Sequence, residues 1–438
     1  MSRSHSARTG APVWLQDVNR RSKRAYNCSL VCAALFHEGP RSRVDLKQAT
    51  GLPLSRLSDI CGCLLDEGFI RESMMTPAVG SGRGRPRALL ELDLRRLAVA
   101  CVKYDQDFIT TALVDLAGTV HWKRCWNARD ESDSTNRLRT ITKYLKQTLT
   151  VASEMGLMLV GVGAADPGTV DVSTGRSIRA VNVPGWTDVP VVEHLHRATN
   201  LSAVIERSDG WQALGEVAYG AGRGSQHVLF VTLLEGIGGG IVEGGRLLAG
   251  RDGSAGEIGH TRVSHDGPLC GCGGRGCLEA HLAPTRLGAL WRGVKPSELD
   301  QIAPRGESDN DDFAQMILAA EQNDPRACEV LEGAARALAI ALGNAVSLLN
   351  PERIILGGRF VAAGELLTGR LRLSLPKYAL PELVAKVDVR LAELGEDSAF
   401  LGIAARVRSR LFQYPSMGGT VEHRPTSKKL ASPKGEPS

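Results

Sequence analysis

Residues 256–279 read GEIGHTRVSHDGPLCGCGGRGCLE and set one histidine and three cysteines at the spacing H-x9-C-x-C-x4-C. His260, Cys270, Cys272 and Cys277 offer imidazole and thiolate donors, the set that tetrahedral zinc prefers. Gly267, Gly271, Gly273, Gly274 and Gly276 lie between them, and glycine permits the tight turns that a loop wrapping a metal needs. Four protein ligands leave no open coordination position for a water or a substrate. The expected zinc is therefore structural. Six other cysteines (Cys28, Cys32, Cys61, Cys63, Cys101, Cys125) sit in apolar runs and read as core or spectator thiols. Ten cysteines without a disulfide-like framework fit a reducing compartment.

A loop of this kind needs a sizeable scaffold, and 438 residues suffice for two or three cores. The stretch MSRSHSARTGAPVW lacks the apolar core of a secretory signal, and no segment reads as a membrane span. A cytoplasmic, bacterial protein is expected. Charge is uneven: residues 1–90 hold fourteen Lys/Arg against seven Asp/Glu, a net of +7 in a chain whose total is +5. A basic first fifth on a near-neutral body points to a nucleic-acid module joined to something else.

The basic segment has the pattern of a winged helix-turn-helix. An apolar helix over Asn27–His37 stops at Glu38-Gly39-Pro40, and Ser42 caps a short helix that ends at Gly51. After Leu52-Pro53, a third helix runs from Leu54 to Glu67 with Leu54, Leu57, Cys61, Leu64 and Leu65 as its buried stripe. Ser55, Arg56 and Ser58, with Asp59, then lie exposed near its N-terminus, where major-groove readers sit. Phe69-Ile70 and Ala88–Leu92 form the wing strands. Between them Gly80–Arg87 carries Arg83, Arg85 and Arg87 in an Arg-Gly-Arg-Pro ribbon, which suits the minor groove of A·T-rich DNA and resembles an AT-hook core.

From about residue 97, strand-like and helical runs alternate twice: Leu97–Tyr104 through Leu159–Ala165, then His227–Leu234 through Arg353–Gly358. This is an α/β pattern with an internal duplication. The expected division is a flexible arm over 1–20, the DNA-binding module over 21–92, the body over 93–412 and a disordered tail over 413–438. Residues 300–313 read as a solvated acidic loop.

The residues that carry a family likeness are spread along this body. They are Gly161-Val162-Gly163, Pro167-Gly168, Asn182–Trp186, Ala213–Glu216, Gly236–Gly240, the zinc segment, and Asn350-Pro351-Glu352 through Gly357-Gly358. With the helix-turn-helix text before them, the chain resembles the ROK family of repressors, open reading frames and sugar kinases over about residues 21–410. The resemblance implies an actin-like two-lobed body behind the winged module. Kinase members carry a glycine-rich phosphate loop where this chain has Lys103-Tyr104-Asp105-Gln106-Asp107. A second phosphate loop has Leu234-Glu235 in place of Gly-Thr. The Asn-Asp pair that supplies the general base becomes Arg207-Ser208, with Asp209 one position off. Three such departures predict a body without kinase activity.

The resemblance also implies a sugar pocket at Glu257, His260 and Glu279, where paired hydroxyls would be held. The alternative is that the two glutamates orient the zinc loop. The function expected is a DNA-binding transcriptional regulator, a repressor, acting as a homodimer or homotetramer on an inverted-repeat double-stranded operator and answering to a sugar or sugar-derived effector. An ATP-dependent sugar kinase with an added DNA-binding module is the other reading.

Overall fold

The structure, a computed structural model, describes residues 22–74, 88–129, 131, 133–302 and 311–414. The arm over 1–20, the ribbon with Arg83, Arg85 and Arg87, positions 303–310 of the acidic loop and the tail beyond 414 lie outside the described residues. Three helices come first: α1 (Lys23–Glu38), α2 (Arg43–Thr50) and α3 (Leu54–Asp66). Ser42 and Asp45 form a capping box at the start of α2, and Gly51, at φ 70°, closes it with its N–H on the carbonyl of Lys47. The turn Gly51-Leu52-Pro53 then redirects the chain into α3.

α3 buries Leu57, Ile60, Cys61 and Leu64, one stripe at helical spacing. Leu54, expected in that stripe, is 43% exposed. As the first residue of the helix it has no preceding turn to cover it, and Ile60 completes the stripe instead. Strands β1 (Ile70–Met74) and β2 (Ala88–Leu92) pair antiparallel with Ile70 opposite Leu92, and Arg41 bridges to Leu90.

The first half of the body runs β3 (Leu97–Tyr104), β4 (Phe108–Asp115), β5 (Val120–Asn127), α4 (Ser134–Glu154) and β6 (Met158–Asp166). A small sheet of β7 (Thr169–Asp171), β8 (Arg176–Arg179) and β9 (Thr187–Val189) follows, then α5 (Val191–Thr199), β10 (Ala203–Arg207) and α6 (Ser208–Tyr219). The second half runs β11 (Val228–Leu233), β12 (Ile237–Glu243), β13 (Arg246–Leu247), α7 (Leu278–Leu282), α8 (Pro284–Arg292), α9 (Asp312–Glu321) and α10 (Pro325–Leu349). It ends with β14 (Arg353–Gly358), α11 (Gly364–Ser374), α12 (Pro381–Val384), β15 (Asp388–Leu391) and α13 (Ser398–Leu411).

The two large sheets repeat one plan, in the orders β10-β6-β3-β4-β5 and β15-β14-β11-β12-β13. In each, the first strand pairs antiparallel with the second and parallel with the fourth. Helices α6 and α13 join the lobes. α6 leaves the first sheet and packs on β11 and β12, while α13 leaves the second and packs on β3 and β6. They cross where Gly215 and Gly402 let the backbones touch: a Cβ on Gly402 would lie 1.8 Å from the Trp211 carbonyl oxygen.

One hydrophobic core runs through Cys28, Val31 and Leu64 of the first module, Val99 and Val114 of the first sheet, and Phe400, Ile403 and Phe412 of α13 and its end. Phe36 stacks on Phe412 at 5.1 Å and His37 on Tyr414 at 5.2 Å. The Arg408 guanidinium lies 4.7 Å from the Tyr219 ring and 5.7 Å from the Phe36 ring. The expectation that no segment is apolar enough for a membrane is corrected at α10, whose 25 residues have the length and composition to cross one. Its burial gives the reason: Leu331, Leu338, Leu342 and Val346 are core residues of the second lobe, so its apolarity serves packing.

Candidate functional site

The metal-ligand candidates come together. His260 ends a 3-10 turn (Ile258–His260), and the cysteines follow on a loop pinned by bridges from Arg262 to Cys277 and Leu269 to Arg275. The Cys270 N–H donates to the Gly274 carbonyl at 2.8 Å, and the Gly273 N–H to the Cys270 carbonyl at 2.9 Å. Gly276, at φ 71°, passes so close to Ser264 that a Cβ would meet its carbonyl oxygen at 2.0 Å. The four ligand atoms all lie within 4.8 Å of one another, a cluster that could hold a metal. Cys272 and Cys277 have their sulfurs 3.7 Å apart, and Cys270 Sγ is 3.7 Å from His260 Nδ1. Burial pushes the Cys270 thiol up to about 12, while the Gly274 N–H lowers that of Cys272.

The three ligand-pocket candidates lie beside this loop, and each already has a partner in the protein. Glu279 accepts the Ile237 N–H at 3.0 Å and faces the Cys270 thiol at 3.5 Å, so it ties the start of β12 to the metal loop. His260 turns Nδ1 to the cysteines. Glu257 pairs with Arg207, whose guanidinium also donates to the carbonyls of Gly239 at 3.0 Å and Ala255 at 2.7 Å. Arg207 ends β10 in the first lobe and all three acceptors belong to the second, so one side chain fastens the lobes together. The sequence singles out Arg207 only as a replaced asparagine. Its partner lies fifty residues away, a pairing no local spacing reveals.

The positions matching the phosphate loops are self-satisfied. Asp105 Oδ1 accepts the N–H groups of Asp107 at 2.9 Å and Phe108 at 2.8 Å, and the Asp105 N–H goes to the Phe108 carbonyl. Fully buried Arg137 holds the carbonyls of Asp105 at 2.7 Å and Gln106 at 3.1 Å. Asp107 pairs with Arg129 at 3.1 Å. The turn thus uses the N–H groups of Asp105, Asp107 and Phe108 internally, groups of the kind that cradle phosphate oxygens. Glu235 likewise takes the Thr285 N–H at 3.1 Å and hydroxyl at 2.8 Å in the first turn of α8. Ser208 donates to the Asp166 carbonyl at 3.1 Å, and Asp209 accepts from Thr232 Oγ1 at 2.8 Å, packed against Gly238.

In the first module, Ser55, Arg56 and Ser58 lie exposed on the N-terminal half of α3. Arg56 has no ion-pair partner among the described residues, whereas Arg43 and Arg71 are paired with Glu72 and Glu91.

Comparison with known proteins covers both parts of the chain. Residues 99–410 match the ROK family. A glucokinase of Thermotoga maritima is 36% identical over 252 residues, 57% of this chain and 80% of the glucokinase. A putative xylose repressor of Caldicellulosiruptor sp. is 26% identical over 390 residues, 89% of this chain and 97% of the repressor. Among solved structures, a ROK family transcriptional regulator, a homologue of the E. coli MLC protein, superposes with a TM-score of 0.74 at 23% identity, over 90% of this chain and 97% of that one. A ROK family glucokinase from Streptomyces griseus, in complex with glucose and AMPPNP, gives 0.56 at 27% identity over 71% of this chain and 98% of its own.

Proposed function

The chain belongs to the ROK family, and from that premise we propose that it is a DNA-binding transcriptional repressor whose body senses a sugar and no longer transfers phosphate. The observation that carries the reading is the exposed Arg56, without an ion-pair partner among the described residues and flanked by Ser55 and Ser58, at the start of the third helix of a helix-turn-helix. That module shares one core with the body. The repressor relative aligns over 89% of the chain, while the glucokinase relative covers 57% of it. Arg83, Arg85 and Arg87 add minor-groove contacts beside the helix. A homodimer or homotetramer in the cytoplasm would meet an inverted repeat, two half-sites matching its two-fold axis. Sugar binding between the lobes then releases DNA by favouring one lobe arrangement.

The metal we propose is zinc, held by His260, Cys270, Cys272 and Cys277. Zinc–sulfur bonds of about 2.3 Å in a tetrahedron put sulfurs about 3.8 Å apart, close to the 3.7 Å between Cys272 and Cys277. Bound zinc would supply folding free energy to the loop that carries Glu279. Glu279 links that loop to β12 through Ile237, and Glu257 opposite it bears on the first lobe. Footprinting a random-sequence selection with the full chain, at two salt concentrations, tests the regulator reading. A protected inverted repeat with steep salt dependence supports it. Sugar-dependent ADP release without any protected site would favour the kinase.

A further inference from the structure

The parallel strands β3, β6 and β10 run side by side and end on the same side of the first sheet, the kind of edge at which open α/β sheets bind ligands. There Arg207, the last residue of β10, lies beside Asp166 and reaches across to the second lobe. The Arg207 side chain is 9% exposed, and that of its partner Glu257 is 43% exposed. The cavity against Arg207 has a volume of about 10 Å3, room for one water at most.

A neutral sugar meets a poor site here. To accept its hydroxyls, Glu257 would have to leave Arg207, and the guanidinium would stay in the closed cleft without a counter-charge, which is strongly unfavourable. A sugar with its own anion removes the conflict. Its carboxylate or phosphate replaces the Glu257 carboxylate on the Arg207 fork. Glu257 is then free to accept ring hydroxyls.

We propose that the cleft takes an anionic sugar and that Arg207 is the residue that selects it. This rests on the reading of the body as a sugar sensor. Before binding, Arg207 and Glu257 hold the lobes together. The anion exchanges for Glu257 and resets that fastening, so charge selection and lobe movement are one event.

The test is calorimetry on the full, zinc-loaded chain with D-glucuronate, D-gluconate and glucose 6-phosphate against D-glucose and D-xylose, and with inorganic phosphate and acetate alone. At least one acidic sugar should bind about tenfold or more tighter than its neutral counterpart and than either bare anion. Arg207→Asn should reverse the preference, losing the acid and gaining glucose. Circular dichroism and zinc content show that the variant is folded. Whether the carboxylates or the phosphate win identifies the source of the anion. Wild-type protein that binds glucose or xylose as tightly as the acids keeps the sugar-sensor reading and overturns this one. Binding of the acids no tighter than of bare phosphate or acetate also overturns it. No binding of any sugar to either wild type or Arg207→Asn sinks both.

Discussion

Gly402→Ala probes the crossing of α6 and α13, the helices that join the lobes. Alanine favours a helix over glycine by about 1 kcal/mol, so on propensity alone the change should stabilise α13. The crossing opposes it. The added methyl would sit 1.8 Å from the Trp211 carbonyl oxygen, 2.6 Å from its carbonyl carbon and 2.9 Å from its Cα, all backbone atoms of α6. No rotamer change relieves such contacts, and the helices must separate. Overpacking costs about 1–3 kcal/mol and lies at its upper end where only backbone can move. The net loss should be about 1–2 kcal/mol, a fall in Tm of about 1–3 °C in a chain of this size. Gly333→Ala is the control: it is exposed within α10, and its Cβ would meet nothing within 4 Å. It should gain about 0.5–1 kcal/mol through the unfolded state. Scanning fluorimetry of both variants decides the matter. A Gly402→Ala protein as stable as wild type would refute the close crossing.

Cys272→Ser should lower the zinc content of purified protein below one per chain and make residues 256–279 sensitive to protease, measured by elemental analysis and limited digestion; wild type that is zinc-free and indifferent to chelator would refute the site. Arg56→Ala should weaken operator binding at least about fivefold, and Arg85→Ala should weaken it mainly on sites with A·T-rich flanks, both read by footprinting. A coupled ADP assay with hexoses and amino sugars should show no sugar-dependent turnover, and turnover that disappears in Asp209→Asn would restore the kinase reading.

Features with a local signature were legible in the sequence. Ser42 and Gly51 bound α2 as capping chemistry requires, and the ligand spacing at 260–277 brings its four residues together because the loop between them is short. Where a signal depends on what lies far along the chain, reading failed. The apolar run Ala334–Leu349 reads as a long helix, yet α10 begins nine residues earlier, at Pro325 behind the Asp324 cap, although Pro at the first position is a helix-entry signal. Strands β7 and β9 have three residues each, too short for any period to show. Arg137 reads as one more cation on an amphipathic helix, yet it is fully buried against the carbonyls of the β3–β4 turn. The union of Arg207 and Glu257 turns two separately noted residues into a single device, and only the folded chain brings them within reach.

The stacking of Phe36 on Phe412 and of His37 on Tyr414 sets an order of events during synthesis. The first module is made early, yet part of its core comes from residues translated more than three hundred positions later. A ribosome-bound chain carrying α1–α3 alone lacks Phe400, Ile403 and Phe412 against that face. Its third helix should become firm only after α13 has emerged and docked. If α3 reads DNA as proposed, that surface is completed only once the body has been made, and a message broken before that point should yield no unregulated binder.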